Sequence, residues 1–133
     1  VLEAGAGCGY NAAVLSRIAA RVYSVEIIES LAETARINLK RAGIDNVEVR
    51  QGDGRLGWPE KAPFDGIILT AAPAKIPEPL KQQLRVGGRL IAPVGVEVQQ
   101  LVLLKKTGET SFRTEALLPV RFVPMTGRAE VKA

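Results

Sequence analysis

Apolar and polar positions follow two different periods along this chain, and the switches between them mark out its elements. Val1-Leu2-Glu3-Ala4 reads as the end of a buried strand that runs straight into Gly5-Ala6-Gly7-Cys8-Gly9. From Asn11 to Ala20 the period becomes helical, with Ala12, Leu15, Ile18 and Ala19 on one face. Arg21 to Glu26 (RVYSVE) reads as a strand. Ser30-Leu31-Ala32-Glu33 has the spacing of a capping box and predicts a helix whose Leu31, Ala35, Leu39 and Ala42 form the core stripe. Gly43 is the expected stop.

The second half repeats the alternation and then changes. Val47 to Gln51 is a predicted strand, followed by a loop holding Gly52-Asp53-Gly54 and Trp58-Pro59. Phe64 to Thr70 is a continuous apolar run, as expected of a parallel strand covered on both faces. A short helix over Leu80 to Leu84 comes next, and Gly87-Gly88 turns into a strand over Arg89 to Val94. After that no helix is expected: Gln100 to Lys105 and Leu117 to Val123 read as two strands joined through Lys106-Thr107-Gly108-Glu109. Phe112 and Phe122 are candidate core aromatics. The expectation is therefore an α/β fold of four or five βα units, a mostly parallel sheet ending in an antiparallel hairpin. A single domain over residues 1–133 is expected.

Composition narrows the function classes. Apolar residues make up 47% and charged residues 24% of 133 residues, a globular balance. No apolar run reaches the roughly 18 residues that a membrane helix needs, so no membrane partner is expected. The net charge of +4 is scattered, and three Phe, two Tyr and one Trp offer no stacking platform, so no specific nucleic-acid partner is expected. Cys8 is the one cysteine, which excludes an internal disulfide. It reads as a small residue packed beneath the glycine loop. The chain opens on Val1 with no basic leader, and a cytoplasmic monomer without a metal is the expectation. There is no histidine, so the chemistry must proceed without an imidazole base.

The candidate site begins with the glycine loop. A strand turning sharply into a helix aims backbone N–H groups over the carboxyl edge of the sheet, where open α/β sheets bind ligands. Gly7-x-Gly9-x-x-Ala12 satisfies a dinucleotide fingerprint, whereas Glu3-x-Gly5-x-Gly7-x-Gly9 matches the form usual in methyltransferases. Glu26 ends the second strand about 20 residues on, where an acid accepts both ribose hydroxyls of either ligand. Asp53 lies just past the third strand; there a carboxylate can accept an adenine amino group, with Gly54 against the ring. Acids after both the second and third strands favour a methyltransferase. Thr70-Ala71-Ala72-Pro73 follows the fourth strand in place of the Asn/Asp-Pro-Pro-aromatic signature of amino-methylating nucleic-acid enzymes.

The stretches VLEAGAGCGYNAAVLS, RVYSVE, NVEVRQGDGRLGWPEKAPFDGIILTAAP, LKQQLRVGGRLIAPVG and LLPVRFVPMTG resemble successive blocks of the protein-L-isoaspartate O-methyltransferases. Gly57-Trp58-Pro59 and Leu118 to Pro124 are the most telling, because a generic fold requires neither. The resemblance implies a Rossmann-like fold that binds S-adenosyl-L-methionine. It also implies methyl transfer to the free α-carboxylate of L-isoaspartyl residues in damaged proteins or peptides, whose esters cyclise to a succinimide and yield some normal aspartate. By position, Glu3, Gly5, Ala6 and Gly7 would line the methionine end, Glu26 and Ile27 the ribose, and Asp53 with Gly54 the adenine. Thr70 and Thr126 would complete the cofactor set. Val120, Phe122 and Val123 would border the peptide. Family members carry a Thr-Ile-Ser-x-Pro segment before the glycine loop. Its match is expected to be missing here by N-terminal truncation, so no catalytic residue is assigned. A nucleoside-binding fragment without turnover, an NAD-dependent oxidoreductase and a methyltransferase of another substrate are the alternatives.

Overall fold

A computed structural model describes residues 1–125. Seven strands form one sheet: β1 (Leu2–Ala4), β2 (Val22–Glu26), β3 (Val47–Gln51), β4 (Phe64–Leu69), β5 (Leu84–Val94), β6 (Gln99–Lys106) and β7 (Phe112–Val120). Their order is β3-β2-β1-β4-β5-β6-β7. The first five are parallel to one another, and β6 and β7 are added beside β5 in antiparallel pairs. Three helices, α1 (Tyr10–Leu15), α2 (Glu29–Arg41) and α3 (Glu78–Gln83), and two 3₁₀ turns make the crossovers. The expected fold class, with its parallel sheet and terminal hairpin, is what the structure has.

Strand alternation sorts the core into two faces. Leu2, Ala4, Val25, Ile67, Leu69, Leu90, Ala92 and Leu104 pack with Trp58, Phe64, Leu80, Leu84 and Met125. A smaller cluster of Ala12, Val22 and Leu39 joins α1 and α2 to the sheet. Glu3 and Ser24 are register partners on adjacent strands, and both are fully buried.

Several boundaries differ from the sequence reading. α1 stops at Leu15, and Ile18 is 79% exposed rather than part of a core face. The reason lies in a distant residue: Asn46 Nδ2 donates to the carbonyls of Ser16, Ala19 and Ala20, which holds that stretch as turns. The capping box does not form. α2 starts one residue earlier, Ile28 precedes it without a side-chain cap, and Ser30 lies inside the first turn. Ala32, Ala35 and Leu39 are its buried residues, while Leu31 and Ala42 are exposed. Cys8 is exposed, not packed beneath the loop. Leu84 leaves α3 to begin β5, which runs through Gly87-Gly88 with a register shift opposite Phe64 and Gly66. β7 starts at Phe112 and ends at Val120, so Phe122 lies beyond it and is 39% exposed. Phe112 does pack against the larger cluster.

Candidate functional site

β1 has β2 on one side and β4 on the other, so the crossovers diverge at its carboxyl end and leave a crevice there. A cavity of about 290 Å³ occupies that crevice. Its walls come from the ends of four strands: Ala4, Gly5 and Gly7 after β1, Val25 to Ile28 after β2, Gly54 after β3, and Thr70 with Ala71 after β4. Leu31 of α2 and Val123, Pro124 and Met125 complete it.

Glu26 is the ionisable group on this cavity, and it is 6% exposed. Its Oε1 accepts the Gly7 N–H at 2.8 Å and its Oε2 accepts the Ile28 N–H at 3.1 Å. The carboxylate is thus fixed between the glycine loop and the start of α2. A carboxylate offers about four lone-pair sites, so acceptor capacity remains for a ligand diol.

Gly5 is demanded by geometry. Its φ of +109° is unfavourable for a side chain, and a Cβ there would collide with the Thr70 hydroxyl. That hydroxyl bridges β4 to β1, lying 3.1 Å from the Ala4 carbonyl and 2.9 Å from that of Gly5. Thr70 therefore acts on the loop's backbone as well as on the cavity wall.

Asp53 is turned to a structural task. It caps the first 3₁₀ turn, its Oδ1 accepting the Arg55 N–H at 3.0 Å. The turn places Gly54 on the cavity, against Ala4 and Met125. Gln83 then holds the next three residues: its Nε2 donates to the Leu56 carbonyl and its Oε1 accepts the Trp58 N–H, both at 2.9 Å. Gly57 lies between them at φ +66°, where a Cβ would strike the Gln83 amide. Trp58 is buried edge-on against Tyr23, with the Arg50 guanidinium 4.4 Å above its ring.

Of the residues expected from sequence, Gly5, Gly7, Glu26, Ile27, Gly54, Thr70 and Val123 share this cavity. Glu3, Ala6, Asp53, Val120 and Phe122 are not among its lining residues. Glu3 lies inside the sheet instead, where the Ser24 hydroxyl donates to its Oε1. Burial pushes its carboxyl up to about 7; the Ser24 bond opposes this and the nearby Glu26 charge adds to it. Thr126 lies outside the described residues. Sequence reasoning missed Ala4, Val25, Ile28, Leu31, Ala71, Pro124 and Met125. The placement of Ile28 and Leu31 was signalled by their nearness to Glu26, since a helix that starts at a strand's carboxyl end opens onto the crevice.

A sequence profile of the Protein-L-isoaspartate(D-aspartate) O-methyltransferase (PCMT) family matches residues 1–130. Among curated relatives, Protein-L-isoaspartate O-methyltransferase 2 of Syntrophobacter fumaroxidans is 58% identical over 129 residues, 96% of this chain and 52% of the relative. The protein of that name from Pelobacter propionicus is 54% identical, over 96% of this chain and 57% of its own length. The chain thus spans little more than half the length of these relatives. A solved protein-L-isoaspartate O-methyltransferase superposes with a TM-score of 0.89 at 39% identity, covering 95% of this chain and 41% of that one. A Plasmodium falciparum structure, assigned as a beta-aspartate methyltransferase and holding S-adenosyl-L-homocysteine, gives 0.79 at 25% identity, over 94% of this chain and 64% of its own.

Proposed function

This chain belongs to the protein-L-isoaspartate(D-aspartate) O-methyltransferase family, and from that premise we propose that its cavity binds S-adenosyl-L-methionine for methyl transfer to the α-carboxylate of an L-isoaspartyl residue. The observation that carries the reading is the Glu26 carboxylate, braced from both sides at the switch point of the sheet and facing the cavity. Its remaining lone pairs suit a ribose diol. Val25, Ile27, Ile28 and Leu31 supply an apolar wall for the base. Asp53, beside Gly54, is the acceptor proposed for the adenine amino group, and Gly5 with Gly7 lets the methionine end approach the backbone.

S-adenosyl-L-methionine, when bound, supplies an electrophilic methyl on a sulfonium. The rest is positioning by the chain. A substrate carboxylate of ordinary pKa near 4 is already ionised at neutral pH, so a chain without histidine lacks nothing as a base. Thr70 and Ala71, with Val123, Pro124 and Met125 next to them, are proposed to confine the space where ligand and substrate meet. Anion and cation neutralise each other as the methyl moves, and apolar walls that thin out water favour that loss of charge. Val120, Phe122 and Val123 are proposed to border the peptide. Among the described residues no helix is long and apolar enough to cross a membrane. Isoaspartyl proteins or peptides, met by a monomer in the reducing cytoplasm, complete the proposed setting, with nucleic acid as no part of it.

Calorimetry tests the cofactor: S-adenosyl-L-homocysteine should bind and NAD should bind more weakly. A labelled-methyl assay tests the reaction, with an isoaspartyl peptide against the same peptide carrying aspartate. Equal or tighter NAD binding overturns the methyltransferase reading, and transfer to both peptides alike overturns the substrate.

A further inference from the structure

We propose that Gln99 is a positioning residue that clamps the segment 121–125 as a strap along one wall of the cavity. This rests on the cofactor-binding reading above and extends it to a residue outside the cavity. Gln99 is the first residue of β6 and is buried. Its backbone pairs with Val120, the last residue of β7, so the ladder ends there. The side chain continues it. Gln99 Oε1 accepts the Phe122 N–H at 2.7 Å, and Gln99 Nε2 donates to the Phe122 carbonyl at 3.1 Å. A single amide thereby takes both backbone groups of Phe122, as a neighbouring strand would.

The far end of the strap is tied differently. Ala72, just past β4, donates its N–H to the Val123 carbonyl and accepts the Met125 N–H, each at 2.8 Å. Those bonds are backbone to backbone and no side chain controls them. The strap presents Val123, Pro124 and Met125 to the cavity, while Val123 remains 67% exposed and Met125 is 5% exposed. It therefore forms one wall of the cavity. Gln99 is the side-chain control on where that wall stands.

The test uses the 133-residue chain, with Gln99→Ala and Gln99→Glu beside the wild type. Two hydrogen bonds are at stake, and their loss is expected to lower amide protection of Phe122 and Met125 about tenfold. Binding of S-adenosyl-L-homocysteine should weaken several-fold in Gln99→Ala, with protection in β1 to β4 unchanged. Gln99→Glu supplies a signature that mere packing would not give. Ionised, the new carboxylate can accept from Phe122 but cannot donate to its carbonyl; protonated, it can do both. Compared with wild type at the same pH, strap protection in Gln99→Glu should therefore be low at pH 8 and recover only below the ordinary glutamate pKa of about 4.3, at about pH 3.5. Wild-type protection in Gln99→Ala, or no pH dependence in Gln99→Glu, overturns the clamp. A loosened strap with unchanged affinity overturns its link to the cavity. A wild-type chain that does not bind S-adenosyl-L-homocysteine overturns the cofactor reading itself, and that link with it.

Discussion

Glu3 should make this protein less stable as pH rises from about 4.5 toward 7. Its side chain is fully buried, the Ser24 hydroxyl is the partner of Oε1, and Oε2 has no hydrogen-bond partner among the described residues. Removing a carboxylate from water without replacing its hydrogen bonds disfavours the charged form, and the neighbouring Glu26 adds repulsion. The carboxyl accordingly rises from its usual 4.5 to about 7 in the folded chain. At 1.36 kcal/mol per unit, that rise corresponds to roughly 3 kcal/mol. The sign follows from proton linkage. Between pH 4.5 and 7 the folded state holds a proton that the unfolded state has released, so the stabilisation is complete below the unfolded pKa, drains away as pH approaches 7, and is flat above. Glu3→Gln removes the titrating group and keeps an acceptor for Ser24. Urea unfolding of both proteins from pH 4.5 to 8.5 isolates the effect, because every other group titrates in both. The wild type should lose roughly 3 kcal/mol relative to the variant across that window. A difference that stays constant with pH would mean that Glu3 is ionised throughout and that water or another donor reaches it.

Two further substitutions address the site and its scaffold. Glu26→Ala should weaken S-adenosyl-L-homocysteine binding in calorimetry by roughly 10- to 100-fold, the value of a hydrogen bond to a charged acceptor; unchanged affinity in a folded variant would reduce Glu26 to a brace for Gly7 and Ile28. Gly57→Ala should cost about 3 kcal/mol in denaturant unfolding, because it combines a backbone at φ +66° with displacement of the Gln83 amide from Leu56 and Trp58. A loss under about 0.5 kcal/mol, the scale of a neutral surface change, would show that the loop repacks freely.

The central strands β1 and β2 were legible because burial on both faces leaves little freedom in composition. β3 has the predicted bounds, the runs ending at Ala4 and Glu26 lie where apolar residues meet glycine or an acid, and β4 ends at Leu69, one residue before the predicted Thr70. Glu26 itself was readable, since an acid at the end of the second strand has a ligand-facing position whatever the neighbours are. Helix ends were not. α1 ends early because Asn46, about 30 residues away in sequence, takes the carbonyls that a longer helix would need. The start of α2 is held by Glu26 Oε2 on the Ile28 N–H rather than by Ser30. In both cases the partner is remote, or belongs to another element, and a local pattern carries no trace of it.

The same limit explains why two blocks stand out from the generic fold without their residues touching any obvious chemistry. Gly57-Trp58-Pro59 is irregular backbone, and Leu118 to Pro124 leaves β7 at Val120 and runs on as irregular backbone to the cavity, with N–H and carbonyl groups beyond the ladder. Buried or half-buried, such groups need partners. Each block finds them in one glutamine from a distant element: Gln83 at the end of α3 for Leu56 and Trp58, and Gln99 at the start of β6 for Phe122. The amide is the side chain suited to the task, because it donates and accepts on one planar group and so pairs with a peptide as another peptide does. Neither glutamine announces itself in sequence, since each sits in an ordinary helix or strand position. What the sequence does carry is the loop side of each contact, a glycine where the amide approaches and apolar residues where the segment turns inward. The walls of the cavity are thus set by residues that never line it, and that is why they are best sought in the backbone hydrogen bonds of the loops rather than among the groups facing the ligand.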